Sequence, residues 1–368
     1  MKQYSNLRAV GVKRSTLVKG FIQLSLIMLV INYIGYQTQT SWELRIPIRV
    51  VVLGLMTISV FINARKVLTK LKLLFLAGIL VSVAFSDELL GNINLLMIFL
   101  IVFAAKDLSM SEFLKAAHTA NIVGLVFYLI LILGGRIQFN TYTLGFRTRA
   151  TLGFLNVNAA AQFILSLTFA MYLTKPNVIR TILFIAINYL SYSITNTRTT
   201  FIAMIVYLIS ILWVNISIKK NRIRVLRSAT MVLVVFSFLS SVLLPLVMKI
   251  YPQIDVMLSW RPTIFGNAWK SISLKQLLLG GSSIEIDNSP ASLVLSNGVI
   301  VALISMYMYA KSLDKAIKFD RNIEKSAFLI TMLCIGIMES VWIRAEIMLS
   351  LIVWKMIMED TFEIRRNC

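Results

Sequence analysis

Twelve apolar runs follow one another along this chain, and they restrict its fold more than any other feature of the sequence. A helix needs about 20 mostly apolar residues to cross about 30 Å of hydrocarbon, and the runs come close to that length. Hydrophobic residues make up 58% of the chain and charged residues only 14%, which leaves too little polar surface for a soluble protein. The sequence therefore predicts an all-α polytopic membrane protein with about 12 transmembrane helices (range 10–12). The runs lie at about 20–36, 46–63, 71–86, 92–105, 120–135, 155–173, 178–195, 199–217, 229–248, 291–310, 326–340 and 341–358.

The basic residues indicate on which side of the membrane each loop lies, because Lys and Arg are enriched in cytoplasmic loops. With the N-terminus in the cytoplasm, 26 of the 37 Lys and Arg residues fall on the cytoplasmic side, and so does the C-terminus. We therefore predict a multi-pass protein of the cytoplasmic (inner) membrane with both termini in the cytoplasm. Residues 1–368 are predicted to form a single transmembrane domain.

The composition excludes several classes of function. A net charge of +21 could suggest a nucleic-acid-binding protein, but the chain has no basic domain, so no nucleic-acid partner is predicted. The single histidine, His118, and the two cysteines, Cys334 and Cys368, exclude a histidine-rich metal centre, a CxxC site and a histidine-based catalytic triad. We predict neither a metal nor a cofactor.

Eleven cations remain on the predicted outer side, where topology disfavours them. Arginine pairs bidentately with phosphate and keeps its charge at every relevant pH, so several arginines at one face suit a phosphate or pyrophosphate head group. The alternative is that they are ordinary solvated loop charges. Arg45 and Arg49 flank the second span and are predicted to anchor it at the interface. The others lie mostly in the loops 136–150 and 249–290, which we predict to be functional: Arg136, Arg147, Arg149, Arg198, Lys249, Arg261, Lys270, Lys275 and Arg344.

Arg198 stands between two apolar runs with almost no loop around it. A charge at that depth is costly unless it is paired, hydrated or facing a cavity, which makes a functional role attractive. Snorkelling of the side chain to the interface is the alternative explanation.

The long loop 249–290 contains a stretch, 261–275, with apolar and aromatic residues at helical spacing. This pattern predicts a short amphipathic helix on the outer leaflet, and Gly280 and Gly281 are expected to end it.

Two carboxylates near the outer face are candidates for a catalytic base among these arginines. Asp287 precedes the next span, where it is either a plain N-terminal helix cap or a catalytic group. Glu339 is the other candidate. Asp255 and Glu285, in the same loop as Asp287, are predicted to be solvated charges.

Three segments in a fixed order carry a family resemblance. They are Arg149-Ala-Thr-Leu-Gly-Phe-Leu-Asn-Val-Asn158, Thr195-Asn-Thr-Arg-Thr-Thr200, and an outer loop with Ser259-Trp-Arg261, Trp269, Gly280-Gly281, Asp287-Asn288 and Gly298. Over about 147–298 the chain thus resembles the Wzy-type polymerases of the polysaccharide polymerase and O-antigen ligase superfamily. It departs from the family pattern at Trp260, where Gly is usual, and at Val157, where Pro is frequent. The ligase branch has His where Asp287 stands, so the polymerase branch is the better match.

The resemblance implies a glycosyltransferase that needs neither metal nor nucleotide sugar and joins oligosaccharide repeat units carried on undecaprenyl pyrophosphate. It implies membrane lipid, a flippase and a chain-length regulator as partners. Arg261 and Asp287 are the predicted catalytic residues. The predicted substrate-binding residues are Arg147, Arg149, Arg198, Arg261, Asn288 and Glu339.

Two other functions remain open from the sequence. A transporter or lipid-linked oligosaccharide flippase also has about a dozen spans and cationic sites, but its charges are expected along a central cavity, usually in paired halves. Here the unusual residues cluster at one face. A ligase that attaches finished glycan to an acceptor is the alternative within the superfamily.

Overall fold

The computed structural model describes residues 2–62, 70–86, 89–144, 147–282, 284 and 286–362, and most of these residues are helical. The elements are α1 (Lys2–Gln37), α2 (Arg45–Ile62), α3 (Lys70–Ala84), α4 (Leu89–Ala104), α5 (Met110–Leu133), β1 (Thr141–Leu144), β2 (Arg147–Ala150), α6 (Val157–Thr174), α7 (Val178–Thr195), α8 (Arg198–Lys219), α9 (Ile223–Ile250), α10 (Gln253–Met257), α11 (Arg261–Ser271), α12 (Leu274–Leu279), α13 (Ser289–Lys318), α14 (Ile323–Gly336) and α15 (Met348–Phe362).

The structure confirms an all-α polytopic membrane protein. Within the described ranges, eight helices are long and apolar enough to cross a membrane, namely α1, α2, α5, α6, α7, α8, α9 and α13. The other four predicted spans coincide with shorter apolar helices, α3, α4, α14 and α15. The largest difference lies between the last two runs, because α14 ends at Gly336 and the chain is not α-helical again until Met348.

Polar side chains fix the ends of several spans. Ser109 Oγ accepts a bond from the Glu112 backbone N–H, and the Glu112 carboxylate accepts one from the Ser109 N–H, which forms a capping box at the start of α5. Asn177 begins α7 by accepting from the Arg180 N–H. Asn196 ends α7 in a left-handed conformation (φ 50°), so α8 follows almost immediately.

The chain forms two compact units, and the first contains α1, α2, α5, α6, α7 and the hairpin. Two tyrosines, the buried Tyr33 on α1 and the half-buried Tyr128 on α5, connect elements of this unit. Tyr33 OH donates to Ala159 O (3.0 Å) and Tyr128 OH donates to Leu152 O (2.6 Å). The unit consists of Met1–Val67, Met97–Thr197 and Ala345–Lys355.

Arg49 lies inside this first unit, so its predicted place as an anchor at the interface is wrong. Its side chain is only 5% exposed and forms an ion pair with Glu346, which is 10% exposed. Arg45 lies over the ring of Tyr36, with 3.9 Å between the guanidinium carbon and the ring centroid. Sequence reasoning missed the partner of Arg49 because it lies 297 positions further along the chain.

The second unit contains α3 and α8 to α14, with α13 packed against α3, α9 and α14. Asn297 Nδ2 donates to Ser82 Oγ (2.9 Å) between α13 and α3. Trp342 stacks on Tyr309 (ring centroids 5.0 Å apart) and fixes the chain after α14 against α13. The unit consists of Leu68–Leu96, Arg198–Arg344 and Met356–Cys368.

The predicted amphipathic helix in the long loop is present as α11, but it ends at Ser271 and its apolar face packs against protein instead of lying on the leaflet. Phe265 is fully buried, and Trp269 Nε1 donates to Ser241 O on α9 (3.1 Å). Gly280 ends the following helix, α12, rather than α11. The apolar cluster around α11 consists of Phe265, Ala268, Ile286, Ala291 and Leu295.

Gly298 makes a kink within α13 that a side chain would not allow. Its φ is 84°, and a Cβ atom there would lie 2.3 Å from Leu278 O. We expect Gly298→Ala to destabilise the protein by at least ~2 kcal/mol, through backbone strain and this clash, and to lower its thermal unfolding temperature in detergent. The control is Gly54→Ala in α2, where no atom lies within 4 Å of the new Cβ. Equal unfolding temperatures for the two variants would contradict the prediction.

Candidate functional site

Arg261 stands at the start of α11, and the turn before it is held by a buried carboxylate. Asp255 accepts bonds from the Thr263 N–H (3.0 Å) and the Thr263 hydroxyl (2.7 Å). Asp255 is only 5% exposed, so its prediction as a solvated charge is wrong. Trp260 adopts a left-handed conformation (φ 63°), which is the backbone geometry that glycine adopts most easily.

The guanidinium of Arg261 contacts both predicted carboxylates. Its Nη2 lies 3.3 Å from Glu339 Oε1 and 3.6 Å from Asp287 Oδ2. Glu339 is 4% exposed and Asp287 is 46% exposed, so one acid is sealed in the protein while the other is open to solvent. The Nε–H of Arg261 is buried and has no hydrogen-bond partner among the described residues. The two carboxylates therefore do not satisfy all the donors of this guanidinium.

Glu339 is held in place through its backbone as well as its carboxylate. Its carbonyl accepts a bond from Ser289 Oγ (2.6 Å), and Ser289 Oγ also accepts one from the Trp342 N–H (3.2 Å). The carboxylate accepts a further bond from Thr199 on α8. Because Thr199, Arg261 and Ser289 stand at the starts of α8, α11 and α13, three helix N-termini meet at Glu339. Helix N-termini carry partial positive charge and favour anions.

Asn288 is the N-terminal cap of α13, and this excludes the capping role considered for Asp287. The Asn288 side-chain oxygen accepts from the Ala291 N–H (2.8 Å), so Asp287 is not the cap. Asn288 Nδ2 donates to Ser240 Oγ and to Ile337 O, each at 3.0 Å. Fully buried and bonded on both sides, Asn288 supports the Glu339 segment. The Asp287 carboxylate instead contacts the guanidinium of Arg261.

Charged groups around Glu339 shift the pKa of its carboxyl in opposite directions. This residue lies beyond the end of α14 and outside the eight spanning helices. Burial raises its pKa to about 7, and the negative charge of Asp287 acts in the same direction. Arg261 and, more weakly, Arg344 oppose this rise in pKa by stabilising the carboxylate. Burial therefore makes the Glu339 carboxyl easier to protonate than that of an ordinary glutamate.

Arg149, in the first unit, stands on β2 and is bonded to the ends of two helices. Its Nη2 donates to Asn158 Oδ1 (3.2 Å) and Thr197 Oγ1 (3.5 Å), and its Nε donates to Thr195 O (3.4 Å). These long bonds leave the guanidinium weakly held. Its partners Thr195 and Thr197 belong to the same unit as Arg149.

The predicted site residues separate into three groups. The structure brings Arg261, Asp287, Asn288 and Glu339 together. Arg198 is exposed at the start of α8, next to Thr199. Arg149 belongs to the other unit, and the Arg147 side chain and Glu285 lie outside the described residues.

Sequence reasoning assigned no role to Thr199, Ser289 or Arg344, although all three belong to this site. Arg344 was visible as one of the outer cations. Thr199 and Ser289 gave no separate signal, because hydroxyl side chains at helix starts are common. Within the described ranges, no three His, Cys, Asp or Glu side chains form a group that could hold a metal ion.

No family model, curated protein or solved structure matches this chain. Its function must therefore be argued from its own residues and their geometry.

Proposed function

We propose that this protein polymerises undecaprenyl-pyrophosphate-linked oligosaccharide repeat units into a surface polysaccharide, at the outer face of the cytoplasmic membrane. The observation that carries the proposal is Arg261, a guanidinium between one exposed and one buried carboxylate, with three helix N-termini beside it. Positive charge fixed in advance is what a pyrophosphate leaving group requires, and an exposed carboxylate is what an attacking hydroxyl requires. In this proposal, both termini lie in the cytoplasm.

The reaction joins two lipid-linked glycans. A hydroxyl of the acceptor repeat unit attacks the anomeric carbon of the donor glycan, and its proton passes to Asp287, whose carboxylate is the accessible one. The bond between the anomeric carbon and the pyrophosphate oxygen breaks, and undecaprenyl pyrophosphate leaves with the electron pair. Arg261 stabilises the charge that develops on that oxygen.

The remaining residues have supporting roles in this proposal. Arg198, exposed beside Thr199 in the second unit, is assigned to the pyrophosphate. Arg149, in the first unit and held by long hydrogen bonds, is assigned to substrate binding. Asn288 holds the chain around Glu339 against the start of α13 by its bond to Ile337 O. Flippase and chain-length regulator proteins are proposed partners, since they supply the repeat units and set the length of the polymer.

The proposal predicts a specific glycan phenotype. Arg149→Ala, Arg198→Ala and Arg261→Ala, made separately in the native host at equal membrane levels, are each expected to collapse the surface polymer ladder on a gel to single repeat units. Chain growth fails in these variants because leaving-group stabilisation is lost, whereas flipping continues. The control is Lys270→Ala, an exposed cation on α11.

Two outcomes would contradict the proposal. Accumulation of lipid-linked units on the cytoplasmic side would identify a flippase. Full-length polymer that stays attached to its lipid carrier would identify a ligase.

A further inference from the structure

Arg261 already contacts two acidic side chains, which raises a question for any anionic substrate. Its Nη2 contacts Glu339 and Asp287, so one positive charge faces two negative charges. A pyrophosphate diester brings negative charge to the same guanidinium. Unless one carboxylate loses its charge, the anion meets strong repulsion at short range.

The two carboxylates differ in how they can respond. Asp287 is 46% exposed and can turn into solvent, where its charge is screened. Glu339 is 4% exposed, and its backbone carbonyl is bonded to Ser289, so it cannot leave the site. When an anion displaces it from Arg261, its charge stays buried without that partner, which is costly.

We propose that Glu339 is the proton-carrying group of this site and takes up one proton from solvent when a pyrophosphate head group binds Arg261. The balance is simple: the Arg261–Glu339 ion pair, the anion and one proton give an Arg261–anion pair and a neutral Glu339 carboxyl. This inference rests on the proposed function, because it takes the ligand to be a lipid pyrophosphate. Glu339 acts here through Arg261 and is a positioning residue.

The groups facing Glu339 are consistent with such a role. Arg261 on α11, Asp287 before α13 and the Thr199 hydroxyl on α8 face Glu339. Arg344 lies on the same segment of the chain as Glu339. Burial raises the pKa of Glu339 to about 7 before ligand binds, and loss of Arg261 to an anion raises it further. Above this pKa, binding requires protonation, so affinity falls as pH rises. Below it, Glu339 is already neutral and affinity is independent of pH.

The test measures binding of a short-chain prenyl-pyrophosphoryl sugar to the purified full-length protein between about pH 6 and pH 8.5, where this diester does not titrate. We expect wild-type affinity to fall about tenfold per pH unit above about pH 7. Glu339→Gln resembles the protonated state, so its affinity is expected to be flat with pH and above wild type at about pH 8.5. The matched control is Asp314→Asn, which removes the partner of Arg227 at the other ends of α9 and α13 and is expected to keep the wild-type slope.

A second measurement needs no variant. Calorimetry of wild-type protein at about pH 8, in two buffers of different ionisation enthalpy, is expected to show about one proton taken up per ligand bound. No proton uptake, or an unchanged pH slope in Glu339→Gln, would overturn the inference while the proposed function stands. If wild-type protein binds this ligand at no pH, or if Arg261→Ala binds as well as wild type, the proposed function fails and the inference fails with it.

Discussion

Arg261→Lys is expected to slow chain growth about a hundredfold or more, although it keeps the positive charge and the fold. Arginine presents several N–H donors in a rigid plane, so it can bind two oxygens of a pyrophosphate at once. Lysine has a single ammonium group and cannot reproduce that geometry. The measurement is the rate at which purified protein in lipid converts lipid-linked repeat units to polymer.

The lysine variant separates charge from geometry. Because a cation remains beside Glu339, no carboxylate is left buried and unpaired, and the unfolding temperature is expected to stay close to that of wild type. Lys270→Arg, on an exposed position of the same helix, is the matched control and is expected to keep full activity. Activity near wild type in Arg261→Lys would mean that charge alone matters at this position and that the planar arrangement of the arginine donors does not.

The spans were predictable because the hydrocarbon imposes a length and an apolar composition that are local in sequence. The segment 337–347 shows where this reasoning fails. It is apolar enough to extend two predicted spans, yet it is not α-helical. Irregular backbone is tolerated within a membrane protein where other protein groups satisfy its polar atoms. Here Asn288 bonds to Ile337 O and Ser289 bonds to Glu339 O, and hydropathy cannot reveal such bonds.

The chemical identity of the site was predictable, and its connections were not. Arg261, Asp287 and Glu339 stand out because charged residues are rare at these positions in the sequence. The contacts among these three residues join positions as far as 78 apart, which a single sequence does not show. The helix cap falls on Asn288 and not on Asp287, because both residue types cap helices well and only the backbone geometry distinguishes neighbours.

Arg49→Met is expected to destabilise the protein by about 3–5 kcal/mol, since it leaves Glu346 buried without its partner. Replacing both residues, in Arg49→Met with Glu346→Gln, removes the buried charge and is expected to restore most of that stability. The measurement is thermal unfolding of the purified protein in one detergent at a fixed pH. A double variant as unstable as the single one would show that the pair stabilises by packing and not by charge compensation.

The activity of the double variant then separates two roles for this buried pair. Glu346 follows Arg344 by two positions, and the positive charge of Arg344 favours the ionised form of Glu339. If the pair only holds the fold, the double variant polymerises at close to the wild-type rate once its stability has returned. If the pair also fixes the position of Arg344, stability returns but the rate stays low. Because a buried ion pair adds little net stability over well-packed apolar groups, a low rate with restored stability would explain why the chain keeps these charges.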